Sequence, residues 1–291
     1  MDLALPAGLI PVLLLVLAAE FVNGWTDAPN AIATVVSTRV LPPSLAVIMA
    51  TVLNVIGAMA GTAVAATIGK GIVRAEVIDA ITIAAAMIAI VTWSTLAWFH
   101  GLPTSESHAL VAALAGAGMA TAGPGVLLWD GWRKVIIGLG FSSVLGFLGG
   151  FTLMVGVSWA FRKAALGVAR RLFGRLQIFS AAFMAFSHGS NDGQKFIGVF
   201  TLALVLGGVL PVFQIPLWVI LLCAITMGIG TAVGGWRIVH TMGLRLTKLE
   251  PYQGFAAETA AATAIEVASR LGIPVSTTHT CLLYTSPSPR D

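Results

Sequence analysis

One pair of polar motifs occurs twice in this chain. The first motif, FVNGWTDAPNAIA at residues 21–33, aligns without a gap on FSHGSNDGQKFIG at residues 186–198, at a constant offset of 165 residues (21 to 186). The second motif, GLPTSESHA from Gly101, corresponds to GIPVSTTHT from Gly272, at an offset of 171 residues (101 to 272). Each half of the chain carries both motifs in the same order, which indicates an internal duplication.

The chain is too apolar to be a soluble protein of 291 residues. Its mean hydropathy is +0.94, and 57% of its residues are hydrophobic while only 10% are charged. Apolar runs long enough to cross a bilayer cover residues 5–22, 45–68, 77–99, 135–160, 196–212 and 217–233. Apolar and polar residues do not alternate along these runs, as they do along the strands of a membrane β-barrel. We therefore predict an all-α, polytopic transmembrane protein that is surrounded by lipid.

A basic cluster without acidic residues separates the two halves. It consists of Arg162, Lys163, Arg170, Arg171 and Arg175. The positive-inside rule places this cluster on the cytoplasmic side of the cytoplasmic (inner) membrane, where it could also contact anionic lipids. Nucleic acid is not an expected partner, because the basic residues lie mainly in expected loops. We expect a first transmembrane repeat at residues 1–160, a basic cytoplasmic linker at 161–176 and a second transmembrane repeat at 177–280.

The last eleven residues, 281–291, read CLLYTSPSPRD. This string is polar, is broken by proline and has no hydrophobic period. It resembles the translation of a sequencing adapter, so we expect a non-native tail, with the natural chain continuing beyond Thr280. The second repeat is then C-terminally truncated, and we expect the 291-residue form not to transport.

Asp27 and Asp192 each follow a glycine and adjoin long apolar runs. An ionised carboxylate at membrane depth costs at least ~2.5 kcal/mol, so a compensating partner is expected. Nearby amides are those of Asn23, Asn30, Asn191 and Gln194. Carboxylate and amide oxygens are ligands for a hard cation such as Na⁺ or acceptors for a relayed proton. The alternative is that each aspartate caps the start of a helix after a glycine turn.

The second pair of motifs is rich in hydroxyl groups. These belong to Thr104, Ser105, Ser107, Ser276, Thr277 and Thr278. In each motif, Gly and Pro end one span, and a new helix then begins with free N–H groups. Free N–H groups and hydroxyls at a helix start form an anion site, and broken helices of this kind form the substrate sites of repeat-containing transporters. The alternative is an ordinary capped loop at the membrane surface.

An anion and two carboxylates in one cavity repel each other strongly, so cations or protons are expected to bind with the anion. Lys195, which replaces Asn30 in the second copy, either neutralises Asp192, contacts the anion, or extends to the membrane interface. The candidates for a proton relay are His108, His188 and His279, with structural hydrogen bonding as the alternative. The residues thus predict symport, without a cofactor other than the coupling ion, H⁺ or Na⁺.

The strings NGWTDAPNAIATVVSTRVLPP, SHGSNDGQKFIG, LPTSESHAL and IPVSTTHT together resemble the inorganic phosphate transporter (PiT) family, in its bacterial low-affinity branch. The resemblance covers residues 1–280. It implies a homodimeric, non-enzymatic helical membrane protein with two inverted repeats and re-entrant hairpins. Such a protein moves phosphate, as the free anion or as a neutral metal complex, with Na⁺ or H⁺.

The resemblance also implies roles for individual residues. The coupling cation or proton would be held by Asp27, Asn30, Asn191 and Asp192, with the two aspartates as Na⁺ ligands if sodium is the coupling ion. Phosphate would be bound by Thr104, Ser105, Ser107, Gln194, Ser276 and Thr277. Two departures from the family pattern, at Thr26 and Lys195, bear on the coupling cation, because each removes a neutral oxygen ligand or alters its charge. The form HGSNDGQK is similar to that of low-affinity, proton-coupled bacterial members, which favours protons.

Two other functions remain open at this stage. A sulfate permease of the same fold would share the anion site, but sulfate has no proton to donate to a carboxylate, so Asp27 or Asp192 at the anion would favour phosphate. An intramembrane aspartyl hydrolase would also use two buried aspartates. Its G-x-G-D context is absent, because Gly24, Trp25 and Thr26 precede Asp27. A purely structural membrane protein would not need duplicated buried polar motifs.

Overall fold

The computed structural model describes residues 6–242 and 249–285, and these are almost entirely helical. The helices of the first half are α1 (Ile10–Ser37), α2 (Pro43–Ala58), α3 (Ala63–Gly71), α4 (Ala80–Phe99), α5 (Glu106–Ala122) and α6 (Trp129–Ala160). Those of the second half are α7 (Leu166–His188), α8 (Gln194–Leu206), α9 (Leu217–Val233), α10 (Trp236–His240), α11 (Pro251–Arg270) and α12 (Thr277–Thr285). In the described part, β structure is limited to an isolated bridge between Val73 and Leu127. The predicted all-α class is confirmed.

Three of the described helices are long and apolar enough to cross a membrane, namely α1, α4 and α6. The bent pair α2 and α3 would make a fourth span. Large apolar side chains on α6, such as Phe147, Phe151 and Trp159, point away from the protein. Exposed apolar side chains of this density are typical of a lipid-facing surface.

The apolar run at residues 45–68 is not one straight span, as its composition suggested. It divides into α2 and α3, which meet at 67°. The break exposes the N–H groups at the start of α3, and one of these, the Val64 N–H, donates to Gln194 Oε1 at 3.0 Å. A side chain from α8 therefore satisfies the broken helix inside the membrane, where an unpaired backbone group would be costly.

Neither aspartate lies at the start of a helix, so the helix-cap alternative is wrong for both. Asp27 lies inside α1, one turn after Gly24. Asp192 lies in a π-helical turn, Gly189–Gly193, which joins α7 to α8. Such π turns are rare and occur frequently at functional sites.

The glycine three residues before each aspartate permits close helix packing. A Cβ atom at Gly24 would lie 2.2 Å from the Met227 carbonyl oxygen, and one at Gly189 would lie 2.2 Å from the Asn54 carbonyl oxygen. The two glycines therefore bring α1 against α9 and the π turn against α2, as small residues do in membrane bundles. This contact explains why glycine recurs in both copies of the motif.

Two helical hairpins carry the hydroxyl motifs. The first hairpin is α4 and α5, with its tip at residues 100–105, and the second is α11 and α12, with its tip at residues 271–276. Each tip contains a glycine with positive φ, +68° at Gly101 and +65° at Gly272, a conformation that side chains with a Cβ rarely adopt. The two glycines therefore let the chain reverse its direction in the same way at both tips.

Each hairpin has an open end, opposite its tip, where its two helices are not joined to each other. These open ends lie at different ends of the α7–α8 pair. The open end of the first hairpin lies beside the end of α3, where Arg74 N donates to Val126 O at 2.8 Å, and α3 packs along α8. The second hairpin begins beside the start of α7, where Arg170 and Glu250 form an ion pair of 2.9 Å. This placement agrees with the expected inverted repeats. Of the expected non-native tail, residues 286–291 lie outside the described residues.

Candidate functional site

The two motif aspartates converge on one buried histidine. His188 Nε2 lies 3.4 Å from Asp192 Oδ2 and 3.9 Å from Asp27 Oδ2. The other ring nitrogen, Nδ1, lies 3.0 Å from Asn54 Oδ1. Because the Asn54 amide nitrogen already donates to Thr231, its oxygen is the free group, and we assign the proton to His188 Nδ1. A neutral His188 then directs a lone pair at two carboxylates.

This arrangement leaves acceptors facing one another. Asp27 Oδ2 and His188 Nε2 are both buried without a hydrogen-bond partner. The ligand atoms of Asp27, His188 and Asp192 all lie within 4.8 Å of one another. Opposed acceptors of this kind are stabilised by a proton or a small cation placed between them. The predicted cation or proton role of both aspartates therefore has a matching geometry, and His188 belongs to the same group.

Lys195 lies at the centre of the protein and is 1% exposed, so it does not extend to a membrane interface. Its ammonium group donates to Asp192 Oδ1, to Ser107 Oγ and, at 3.1 Å, to the Val275 carbonyl oxygen. Of the alternatives for this residue, neutralisation of Asp192 is the one that the geometry supports.

The two hairpin tips meet at equivalent hydroxyls. Ser276 Oγ donates to Ser105 Oγ at 2.7 Å. Each serine also caps the helix that follows it: Ser105 Oγ accepts from His108 N at 3.3 Å, and Ser276 Oγ accepts from His279 N at 3.1 Å. Ser276 is 2% exposed, so the alternative of a capped loop at the membrane surface is wrong for the second motif.

The threonines of the second tip connect the hydroxyls to the aspartates. Thr277 Oγ1 donates to Asp192 Oδ2 at 2.8 Å. The Thr278 hydroxyl lies 3.1 Å from the Thr104 carbonyl oxygen and 3.5 Å from Asp27 Oδ1. The expected anion ligands and the expected cation ligands thus form one continuous polar network at the centre of the bundle.

A cavity of about 550 Å³ lies beside the two tips. Its polar lining comes from Thr104, Ser105, His108, Thr278 and His279, and its apolar wall includes Ile90 and Trp93. The rings of His108 and His279 lie 4.7 Å apart, between centroids. Convergent polar groups in a largely apolar pocket are typical of a small-ligand site.

The two amide residues Asn30 and Asn191 hold the second tip in place. Asn30 Nδ2 donates to Thr278 Oγ1 at 3.0 Å. Asn191 Oδ1 accepts from Val275 N at 3.2 Å, and its amide nitrogen donates to Ser269 Oγ at 2.9 Å. Both side chains therefore position the hydroxyl groups in this conformation.

The structure does not bring Gln194 to the hairpin hydroxyls. Its Oε1 accepts from Val64 N, and its Nε2 donates to the Ser190 carbonyl oxygen at 2.7 Å. Gln194 instead lines a second cavity of about 450 Å³, together with Glu266 and Arg270. Its contacts in this conformation stabilise the α2–α3 break.

One buried carboxylate of the site was not assigned from sequence. Glu106, 2% exposed, accepts from Thr26 Oγ1 at 2.9 Å and from Ser94 Oγ at 2.8 Å. The duplication contained the signal, because Glu106 stands where the second copy has Thr277, and Thr26 stands where it has Asn191. In the first copy a hairpin acid therefore replaces a hydroxyl of the second copy, and a hydroxyl on α1 replaces an amide.

Residues 23–170 and 163–283 match the family model described as "Phosphate transporter family". The chain belongs to the phosphate transporter family. A "probable low-affinity inorganic phosphate transporter" of Bacillus subtilis is 40% identical over 273 residues, covering 93% of this chain and 82% of the relative. A protein of the same description from Rhizobium meliloti is 42% identical over 274 residues, covering 94% of this chain and 82% of the relative.

This phosphate transporter family member is also similar to a solved structure titled "The sodium-dependent phosphate transporter". The two share 25% identity and superpose with a TM-score of 0.87, covering 95% of this chain and 88% of the other. The resemblance to the PiT family is thus confirmed. The family and the relatives are transporters and not enzymes, so the alternative of an intramembrane hydrolase is wrong.

Proposed function

We propose that this protein imports inorganic phosphate across the cytoplasmic membrane by symport with protons. The observation that carries the proposal is the meeting of Asp27, His188 and Asp192 directly behind the hairpin hydroxyls. The His188 lone pair and the unpartnered Asp27 oxygen are acceptors that one proton would join.

Electrostatics couples this proton to the anion. Two like charges about 4 Å apart repel by about 4 kcal/mol at an effective dielectric constant of 20. Phosphate at the tips lies close to Asp27 and Asp192, because Thr278 and Thr277 contact both the tips and these carboxylates. A proton taken up by the aspartate–histidine group removes one negative charge and so favours phosphate entry, and release of phosphate favours loss of the proton.

The same geometry favours phosphate over sulfate. A protonated phosphate can donate a hydrogen bond to a carboxylate, whereas sulfate can only accept. Asp27 Oδ1 lies 3.5 Å from the Thr278 hydroxyl at the tip, within reach of a bound anion's proton. A site that pairs a substrate O–H with a buried acceptor rejects an analogue lacking that O–H.

A neutral metal–phosphate complex is a second form of the substrate that the site could accept. The three ligand atoms of Asp27, His188 and Asp192 are close enough together for one divalent cation to contact them all. Uptake that requires Mg²⁺ as well as a pH gradient would identify this form.

Orientation and assembly follow from the charged and apolar surfaces. The basic residues at the start of α7, among them Arg170 and Arg171, support a cytoplasmic position for this end of the protein. The exposed apolar face of α6 is available to lipid or to a second copy, and we propose the homodimer that the family resemblance implies. Cross-linking between single cysteines on α6 in native membranes tests this assembly.

The test of function is uptake of labelled phosphate into proteoliposomes by a form of the protein that is completed with a native C-terminus, and the uptake measurements below use the same form. We expect uptake with an inward proton gradient, equal rates in sodium and in choline, and no competition by excess sulfate. An Asp27→Asn variant is the matched inactive protein. Uptake driven by a sodium gradient alone would contradict proton coupling, competition by sulfate would contradict the substrate, and no uptake under either gradient would contradict both.

A further inference from the structure

The Lys195 side chain places its terminal amine group between the two repeats. Its ammonium group has three N–H donors, and all three are used, on Asp192 Oδ1, Ser107 Oγ and the Val275 carbonyl oxygen. We call these three oxygens the oxygen cage. One comes from the π turn, one from the first hairpin and one from the second, so this single cation joins all three parts of the site.

The oxygen cage has the composition of a site for a hard monovalent cation. A carboxylate, a hydroxyl and a backbone carbonyl are the oxygen types that such ions bind in proteins. The ammonium group and the three residues of the oxygen cage are all buried: Lys195 is 1%, Asp192 0%, Ser107 7% and Val275 2% exposed. Water therefore does not compensate the carboxylate, and the ammonium is its direct counter-charge.

The first copy of the motif provides a comparison within the same chain. Asn30 is the counterpart of Lys195 and carries no charge. Its amide donates to Thr278 Oγ1 at 3.0 Å and does not contact Asp27 in this way, so among the residues that the structure describes the first aspartate has no lysine partner of its own. The duplicated site thus has a lysine beside one aspartate and a neutral amide at the equivalent position near the other, while both aspartates face His188.

We propose that the Lys195 ammonium takes the place of a transported monovalent cation, and that shortening this side chain opens a Na⁺ site in the same oxygen cage. The inference deepens the proposed proton symport and rests on it. With this position occupied by the chain itself, sodium has no place in the oxygen cage. Removal of one partner of a buried ion pair leaves a costly bare charge, so a truncated variant gains stability from any ion that replaces the ammonium.

The test compares Lys195→Ala, which opens space, with Lys195→Met, which keeps the length of the side chain but not its charge. Lys163→Ala, at an exposed residue between α6 and α7, is the matched control. The first measurement is the thermal unfolding midpoint of purified protein in detergent, in NaCl and in choline chloride of equal concentration. We expect Na⁺ to raise the midpoint of Lys195→Ala and to leave the unaltered protein, Lys195→Met and Lys163→Ala unchanged.

The second measurement is phosphate uptake. We expect Lys195→Ala to be roughly tenfold faster in sodium than in choline, a typical coupling between two ligands, while the unaltered protein is equally fast in both. In the double variant Asp192→Asn with Lys195→Ala, the charge of the oxygen cage is lost, and we expect the sodium-dependent rise in midpoint to disappear.

A second substitution guards against a variant that fails to fold. Lys195→Asn introduces the residue of the first copy and supplies an amide oxygen, so we expect the same response to sodium. Equal midpoints in sodium and choline for both variants would overturn the proposal, as would variants that aggregate even when purified in sodium. Stabilisation by low pH but not by Na⁺ would overturn it too, because a proton then compensates Asp192. Failure of proton symport would instead be seen in the unaltered protein.

Discussion

Ser276 donates a hydrogen bond of 2.7 Å to Ser105, and the two residues occupy equivalent positions in the two repeats. Each hydroxyl also caps its own helix, so the pair combines three tasks: joining the tips, starting α5 and α12, and presenting oxygen to the neighbouring cavity.

We predict that Ser105→Ala or Ser276→Ala raises the KM for phosphate about tenfold, because loss of one charge-assisted hydrogen bond weakens binding by about 1.5–3 kcal/mol. In the double variant, the increase in KM is expected to be smaller than the product of the two single increases, because the two serines share one hydrogen bond. Uptake kinetics measure this. Ser143→Ala, at an exposed hydroxyl that bonds only within α6, is the control. Unchanged KM in both single variants would contradict an anion site at the tips.

Asp27→Asn is expected to abolish proton-driven accumulation of phosphate while preserving exchange of internal for external phosphate. Asparagine resembles the protonated acid in size and charge, so the variant binds the anion but cannot release a proton. Counterflow and gradient-driven uptake, measured in the same vesicles, distinguish the two reactions. The control is Asp130→Asn at an exposed acid near the start of α6. Accumulation by Asp27→Asn at the normal rate would exclude Asp27 from coupling.

Glu106→Ala is expected to lower the free energy of unfolding by about 1–3 kcal/mol, because the buried Ser94 hydroxyl loses its acceptor and the Thr26 hydroxyl keeps only the Val22 carbonyl oxygen. Glu106→Gln keeps the shape and one acceptor oxygen, so most of the stability should return. The thermal midpoint in detergent reports both effects. If the two variants were equally unstable, the negative charge of Glu106, and not its hydrogen bonds, would be the stabilising feature.

Gly24→Ala is expected to disturb folding or assembly strongly, because its Cβ would lie 2.2 Å from a backbone oxygen of α9 that cannot easily move. Gly116→Ala is the matched control, since a Cβ there meets nothing within 4 Å and alanine is favoured over glycine in a helix by about 1 kcal/mol. The fraction of monodisperse protein and the thermal midpoint measure the difference. Equal behaviour of the two variants would contradict the tight α1–α9 contact.

Much of the site could be predicted from the sequence because both of its motifs occur in each half of the chain. The duplication identified Asp27 and Asp192 as partners and the two hydroxyl motifs as a pair, and the structure brings all four together. The all-helical class followed from the length of the apolar runs. These features depend on composition and spacing, which the sequence displays directly.

Other features depend on contacts between distant residues. The run at residues 45–68 has no proline to mark its break, which is stabilised by Gln194 from 130 residues further along the chain. The interior position of Asp27 in α1 could not be separated from a helix start, since a glycine followed by an acid fits both. For Lys195, burial could not be separated from exposure at an interface, because its three acceptors come from different parts of the chain.

The buried ammonium has a consequence for how strongly the membrane potential can drive phosphate accumulation. A diffusible ion that enters with phosphate carries its charge across the bilayer and is lost to the interior, whereas Lys195 is covalently attached and returns with the protein. Each turnover therefore translocates one positive charge fewer than it would with a free ion in that position. At 100 mV, one elementary charge is equivalent to about 2.3 kcal/mol, so the free energy that this voltage contributes to phosphate accumulation is lower by that amount.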